Sequence, residues 1–291
     1  MARVMVGSPA SVIAGSVIVL GIVLGPASAS ADGGWSGDPA VNMVVADRAG
    51  EQVQPKLAAT SDGGFYLSWY DDAAGGYDVA LQRMDAAGVE QWPHNGIIVA
   101  DTGFSWVTDY DLTVDDDNEA LLGFRDDRGG VEHITIARVA PDGTMLWGED
   151  GIIVGAGPAE FLGPPGIVST SDDQVVVAWT HDAEIRVRRL DLAGRAIWSS
   201  DVKFIDPTDA TQMLADVQPT PDGGVIVSWV HTASFVDPRH LWAQRLSRDG
   251  QALWGTEDPA SGMRQPLVVF GDGTLQYGNF PPFVADPSGG A

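Results

Sequence analysis

The chain has 291 residues, of which 44% are hydrophobic and 8% aromatic, and this is enough to build a packed core. Its 40 acidic residues outnumber its 16 basic residues and give a net charge of −24, which argues against nucleic acid and anionic membranes as partners. The sequence contains no cysteine, which excludes disulfides and thiolate metal sites.

Residues 1–31 have the pattern of a secretory signal peptide. A single charged residue, Arg3, precedes an apolar run over residues 12–24, and small residues follow. The run is shorter than the ~20 apolar residues that span a bilayer. We therefore expect cleavage after Ala29 or Ala31, no membrane insertion afterwards, and secretion to the periplasm, the cell envelope or the medium of a bacterium.

The first complete repeat after this segment reads as four β-strands joined by tight turns. Phe65, Leu67 and Trp69 alternate with polar or smaller residues, as expected for a strand packed on one face. The turn at Ser61–Gly64 contains glycines that can adopt positive φ. The strands predicted in this repeat are 54–60, 65–70, 77–84 and 89–92, the last of which resumes at 97–99.

Two sequence markers recur in phase along the chain. A hairpin that ends in tryptophan occurs four times, at Trp92, Trp147, Trp198 and Trp254, with spacings of 55, 51 and 56 residues. The aromatic residue of the second predicted strand recurs at Trp69, Phe124, Trp179 and Trp229, with intervals of 55, 55 and 50 residues. A period of this length in β-rich sequence indicates one four-stranded sheet per repeat.

We therefore predict an all-β fold, a single β-propeller domain over residues 32–291 with four-stranded antiparallel blades. The predicted repeats are 53–107, 108–164, 165–214 and 215–264. A composite fifth blade would combine residues 265–291 with an N-terminal strand in 35–47, because pairing the two ends removes exposed sheet edges. The alternative is an incomplete ring or a truncated chain.

The hairpins Asp85–Trp92 and Asp191–Trp198 resemble those of pyrroloquinoline-quinone-like and WD40-like propeller repeats of secreted bacterial proteins. The resemblance implies that each tryptophan docks against the next blade. Quinone dehydrogenases of that class usually need about eight blades and often a vicinal cysteine pair, which this chain cannot supply. Residues Thr60–Gly64 also begin like the Asp-box of sialidases, although the aromatic residue falls too late.

The loops after the second strands of the blades are the predicted ligand-binding face. The repeat places four polar residues at matching positions there, and three further carboxylates stand beside them. Such a set could hold a polar ligand or calcium, and the alternative is that these side chains cap the loops. The residues are Asp71, Asp126, His181 and His231, with Asp72, Asp127 and Asp182 beside them.

Trp106 and Tyr110 lie in an irregular segment on the same predicted face. Exposed aromatic rings there could stack on sugar rings or anchor a protein partner, and local core packing is the alternative. No nucleophile-elbow serine, histidine pair at metal spacing or assignable acid/base pair is recognisable.

The sequence thus predicts an exported, non-enzymatic binding module for a protein or glycan ligand, with no identified cofactor other than possible calcium. The alternative is a carbohydrate-active propeller enzyme, either a glycoside hydrolase or a sialidase-like protein.

Overall fold

The computed structural model describes residues 34–291 apart from 156–160, 209, 235, 258, 260–261, 263 and 276–279. The predicted signal peptide lies outside the described residues, so its cleavage and the export of the chain stay predictions. In the described part of the chain, no helix is long and apolar enough to cross a membrane.

The described strands form four antiparallel sheets of four strands each, and the chain order is also the order within each sheet. Blade one contains β1 (Gln52–Ala59), β2 (Phe65–Asp71), β3 (Asp78–Met84) and β4 (Ile97–Ala100). Blade two contains β5 (Asp111–Val114), β6 (Ala120–Asp126), β7 (His133–Val139) and β8 (Ile152–Gly155). Blade three contains β9 (Gly166–Thr170), β10 (Gln174–His181), β11 (Glu184–Leu190) and β12 (Val202–Ile205). Blade four contains β13 (Thr211–Pro219), β14 (Val225–Thr232), β15 (His240–Leu246) and β16 (Leu267–Phe270).

The predicted all-β class and the four-stranded antiparallel blades are confirmed. The described sheets are arranged like propeller blades but do not close into a ring, which agrees with the incomplete-ring alternative.

The turn between β1 and β2 shows why the sequence reverses direction there. The main-chain amide of Thr60 donates to the carbonyl of Gly64 at 3.0 Å, and the Asp62 carboxylate accepts the Gly64 amide at 3.1 Å. Gly63 has a φ of +88°, which disfavours any residue with a side chain. A Cβ at Gly64 would lie 2.4 Å from the carbonyl oxygen of Met84, so the close approach of β3 also requires glycine.

The hydrophobic core of the described residues lies between neighbouring blades. One cluster joins blades one and two, with Leu81 packed in the same group as Phe124. A second joins blades two and three around Trp179, and a third joins blades three and four around Trp229. Each seam is therefore built from the second-strand aromatic residue that marks the repeat, and seam packing holds the blades in order.

The hairpin tryptophans connect consecutive blades through the same hydrogen bond. The indole nitrogen donates to the carbonyl of the second residue of the next blade's outer turn, at 3.0–3.1 Å. The pairs are Trp92 with Pro141, Trp147 with Leu192 and Trp198 with Arg248. Trp35 makes the same contact with Ala86 of blade one at 3.0 Å and stacks on Phe65. The N-terminal segment therefore occupies the place of a preceding blade's hairpin.

The predicted composite blade is wrong in one respect. The composite blade over 265–291 requires its inner strand at residues 265–270, but β16, which lies there, pairs with β15 as the outermost strand of blade four. The cause is an insertion. The outer strand starts five residues after the tryptophan in blades one and two and four after it in blade three, but thirteen after Trp254 in blade four. The inserted segment contains the antiparallel bridge between Glu257 and Arg264.

Candidate active site

The four polar residues predicted to form a ring stand at the same register in their blades. Each lies at or near the end of a second strand, opposite the start of the third strand. The pairs are Asp71 with Asp78, Asp126 with His133, His181 with Glu184 and His231 with His240. These positions are halfway out along each blade, away from the innermost strands.

Each of these side chains has partners within or beside its own blade. Asp71 accepts the Ala73 amide at 3.0 Å, and Asp126 is ion-paired with Arg128. Burial opposes ionisation of Asp126, but the hydrogen bonds and the charge of Arg128 outweigh burial and lower its pKa. His181 Nδ1 lies 3.3 Å from a carboxylate oxygen of Asp182, although it makes no hydrogen bond with any described residue. His231 Nε2 lies 2.7 Å from Asp206 Oδ2, and its ring stacks on Trp242.

The three carboxylates next to this ring hold the segments that enter each blade. Asp72 accepts the main-chain amide of Glu51 at 2.5 Å, Asp127 that of Gly103 at 2.7 Å, and Asp182 that of Phe161 at 3.1 Å. In blade four, the Asp206–His231 contact makes the same connection with the carboxylate on the entering loop. These contacts support the loop-capping interpretation, and ligand binding by these residues stays a prediction.

Trp106 and Tyr110 occupy different environments. Trp106 is half exposed, and its ring lies 4.7 Å from the guanidinium carbon of Arg125. Tyr110 is buried, and its hydroxyl donates to the carbonyl of Gln54 at 2.9 Å. Among the described residues, no group of three or more histidine, aspartate or glutamate side chains is arranged to hold a metal ion.

A different set of residues meets at the innermost strands. Lys56, Asp111, Gly166 and Asp216 occupy equivalent positions, each paired with the residue that precedes the second-strand aromatic. Their partners are Ser68, Gly123, Ala178 and Ser228. We call these four inner-strand positions the axial ring. The repeat therefore places one lysine and two aspartates on the innermost strands of the blades. The glycine, Gly166, stands between the two aspartates in blade order.

The axial ring borders a cavity of about 360 Å³. Its wall includes all four ring residues together with Asp109, Tyr110, Phe161 and Phe280. Gly166 leaves room that a side chain would fill, since a Cβ there would lie 2.8 Å from Val217 and 3.7 Å from Asp111 Oδ2. The cavity thus combines carboxyl groups with aromatic rings.

Main-chain amides hold both axial carboxyl groups. Asp111 Oδ2 accepts the amide of Ile167 in blade three at 2.9 Å, and its Oδ1 accepts that of Leu112 at 2.9 Å. Asp216 Oδ2 accepts the amide of Phe283 at 3.0 Å, and its Oδ1 accepts that of Val217 at 2.8 Å. Each carboxyl group is therefore oriented by one main-chain amide of its own blade and by one from a later part of the chain.

Burial raises the pKa of both axial carboxyl groups above the usual aspartate value. For Asp111, burial is the largest cause, the Ile167 amide and the Lys56 charge oppose it, and the Asp216 carboxylate adds to the rise. For Asp216, burial again outweighs the donated hydrogen bonds. Perturbed carboxyl groups that share a cavity are typical of acid/base sites.

Lys56 brings the positive charge of the axial ring. Its ammonium lies 2.9 Å from Asp109 Oδ1 and 5.3 Å from the centre of the Tyr110 ring. With Asp109, Asp111 and Asp216 nearby, carboxylates outnumber this cation at the cavity. The site is therefore suited to uncharged or cationic groups more than to anions.

Of the residues at this cavity, sequence reasoning named only Tyr110, and it missed the axial ring because a charged residue there looks like an ordinary exposed position. The signal was nevertheless present. Each axial-ring residue precedes its second-strand aromatic by 13 residues, as Asp111 precedes Phe124 and Asp216 precedes Trp229.

No family model matches the chain, and no curated protein matches it in sequence. Its fold is similar to that of several solved structures. A glycoside hydrolase described as putative, from Bacteroides ovatus ATCC 8483, is 11% identical with a TM-score of 0.44, over 71% of this chain and 72% of that one. An endo-arabinase from Bacteroides thetaiotaomicron VPI-5482 is 12% identical with a TM-score of 0.43, over 76% and 95%. An N-acetylgalactosamine deacetylase from F. plautii, in complex with blood group B trisaccharide, is 13% identical with a TM-score of 0.43, over 75% and 72%.

At 11–13% identity, these similarities show the fold alone. The sequence suggested a non-enzymatic binding module, whereas the similar structures are carbohydrate-active enzymes. The likeness to quinone-type repeats stays a resemblance of sequence pattern, while the propeller-like fold itself is confirmed.

Proposed function

We propose that the chain is a carbohydrate-active propeller enzyme that hydrolyses glycosidic bonds at the axial ring. One observation carries this proposal: Asp111 and Asp216 stand at equivalent inner-strand positions, border one cavity and both have a raised pKa. Glycoside hydrolysis requires two carboxyl groups that differ in protonation, and a shared, partly desolvated site supplies such a difference.

Asp111 is assigned as the general acid and Asp216 as the general base. Burial is the main cause that raises the pKa of Asp111, and the charge of Asp216 adds to the rise, which favours the protonated form that a general acid requires. Asp111 would give that proton to the glycosidic oxygen as the bond to the anomeric carbon breaks. Asp216 would accept a proton from the water that attacks the anomeric carbon.

The aromatic side chains at the cavity suit a sugar ligand. Tyr110, Phe161 and Phe280 border the same space as the carboxyl groups. Sugar rings have apolar faces that pack on aromatic rings while their hydroxyl groups bond to carboxylates. A cavity of about 360 Å³ is within the range of small-molecule sites.

The test is hydrolysis by the purified full chain of a panel of neutral, amino and acidic polysaccharides, measured as new reducing ends. Asp111→Asn and Asp216→Asn should each lower kcat by about a hundredfold or more, because each removes a proton-transfer group. Asp150→Asn is the matched control, since the Asp150 side chain is fully exposed and does not border the cavity. Unchanged turnover in both axial variants would disprove the assignment.

We also propose that the chain is exported, on the basis of the pattern in residues 1–31. An extracellular or periplasmic location would bring the axial ring to polysaccharide substrates. N-terminal sequencing of protein from a bacterial host should give a first residue of Ser30 or Asp32, and a first residue of Met1 would contradict the proposal.

A further inference from the structure

The C-terminal residues repeat the turn that follows an inner strand. The Asp286 amide donates to the Gly290 carbonyl at 2.8 Å, as the Asp115 amide donates to the Glu119 carbonyl at 3.1 Å in blade two. The Gly289 amide donates to the Asp286 carbonyl at 2.9 Å, as Asn118 does to Asp115 at 3.1 Å.

The carboxylates of these two turns also accept equivalent hydrogen bonds. Asp286 Oδ1 accepts the amides of Ser288 and Gly290 at 2.6 and 3.1 Å. Asp115 Oδ1 accepts the amides two and four residues later at 3.1 and 2.9 Å. Asp286 therefore corresponds to Asp115.

This correspondence assigns a position to Pro282. Asp111 precedes Asp115 by four residues, and Pro282 precedes Asp286 by four. Relative to this turn, Pro282 therefore stands at the position that the axial-ring residues occupy in the blades, and it borders the cavity with Phe280.

The hydrogen bond to Asp216 supports the same assignment. Ile167, the residue after the axial-ring position of blade three, donates its amide to Asp111 Oδ2 of the preceding blade at 2.9 Å. Phe283, the residue after Pro282, donates its amide to Asp216 Oδ2 of blade four at 3.0 Å. In both contacts, the residue after an axial-ring position donates its main-chain amide to the aspartate of the preceding blade.

We propose that residues 280–283 form a fifth inner wall of the axial site and that the main-chain amide of Phe283 is a positioning group for Asp216. The amide holds the carboxylate towards the cavity in the orientation that Ile167 imposes on Asp111. The catalytic assignment of Asp216 rests on the proposed function, but the positioning itself does not.

The decisive comparison is between Phe283→Pro and Phe283→Ala in the full chain. Both lose the phenyl ring, but only proline removes the N–H donor. Loss of the donor should raise the pKa of Asp216 by about half a unit or more, because a hydrogen bond to a carboxylate favours its charged form. The pKa is read from the ¹³C NMR titration of the Asp216 carboxyl carbon, with Asp216→Asn used to assign the signal.

The positioning proposal holds if Phe283→Ala keeps the wild-type pKa of Asp216 and Phe283→Pro raises it. Equal pKa values in the two variants would overturn it. Replacement of Phe283 by phenyllactic acid converts the amide to an ester with the side chain intact, and it answers the same question if the proline variant does not fold. A shifted pKa in a protein that hydrolyses no glycan would leave the positioning intact and reject the proposed function.

If the protein hydrolyses a glycan, the kcat, KM and pH profile of the Phe283 variants give a second test of the positioning. The Phe283→Pro variant should lower kcat with little change in KM and move the acidic limb of the pH profile upwards. Phe283→Ala should leave that limb in place. A uniform fall in kcat at every pH in both variants would indicate a packing effect and contradict positioning by the amide.

Discussion

Asp111 of blade two is held by the main-chain amide of Ile167 of blade three, at 2.9 Å. The contact crosses a seam, so the proposed acid is oriented by a blade to which it does not belong. Gly166, which precedes Ile167, allows this approach because its missing side chain leaves room beside Val217.

Substitution of this glycine should therefore damage both packing and the site. Gly166→Ala places a Cβ 2.8 Å from Val217, which should lower the free energy of unfolding by about 1–3 kcal/mol. Urea unfolding measures the loss. Gly37→Ala is the control, since a Cβ there meets no atom within 4 Å, and an equal effect in both variants would contradict the close-approach argument.

Lys56 tunes the proposed acid. Its charge lowers the pKa of Asp111, so Lys56→Met should raise that pKa and move the alkaline limb of the hydrolysis profile to higher pH. The sign follows because loss of a nearby cation disfavours the carboxylate. Lys203→Met is the matched control, because Lys203 is the other lysine of the sequence and does not border the cavity. An alkaline limb that does not move in Lys56→Met would exclude this role.

The charge of the site should also select its substrates. Because carboxylates outnumber Lys56 at the cavity, oligosaccharides of uronic acids should bind at least about tenfold more weakly than neutral ones of equal length, a difference of about 1.4 kcal/mol. Calorimetric titration with both at low and high salt measures this difference. Tighter binding of the uronic acid oligomer would show that the site is not acidic in effect.

Asp78 should make the stability of the fold depend on pH. Burial is the main cause that raises its pKa from 3.8 to about 6, with the charges of Asp101 and Asp71 adding to the rise. Its contribution to stability is complete below pH 3.8 and is lost as the pH rises towards about 6, because the unfolded chain ionises first. Above that range Asp78→Asn should be more stable than the wild type by about 1–3 kcal/mol, since the asparagine carbonyl can still accept the Thr102 amide. Identical unfolding curves across this pH range would refute the prediction.

The seam tryptophans allow hydrogen bonding and burial to be separated. Trp92 and Trp35 donate equivalent bonds, but Trp92 is 9% exposed and Trp35 is 60% exposed. Trp92→Ala should cost about 3–5 kcal/mol, as expected for a buried aromatic residue. Trp35→Ala should cost less, about 1–2 kcal/mol, because it removes only an exposed hydrogen bond and the stacking on Phe65. Equal losses in thermal unfolding would mean that burial is not the main contribution.

The sequence allowed the blades to be predicted because two markers repeat in phase. The aromatic residues around Trp179 and Trp229 build the seams, so their spacing reflects packing directly. The end of the chain was misassigned, since the insertion after Trp254 shifts the phase and makes Leu267–Phe270 resemble an inner strand. The turn at Asp286 matches the inner-strand turns of the other blades, but this match is visible only from its hydrogen bonds in the structure.

The site was harder to predict than the fold. Asp71 and His231 are conspicuous in sequence because they follow the second strands, but their partners lie within or beside their own blades. Asp111 and Asp216 sit in strands where a charged residue is compatible with solvent exposure. Only the register of the four inner strands shows that they share a cavity, because no local pattern records which strands face one axis.

The placement of the apolar clusters between blades has a consequence for unfolding. Among the described residues, blades two and three each share two such seams, while blades one and four each share one. Such a linear array opens from its ends, as in repeat proteins whose units contact only their neighbours. Amide hydrogens of β6 and β10 should therefore exchange with deuterium most slowly, and those of β1 and β16 should exchange first.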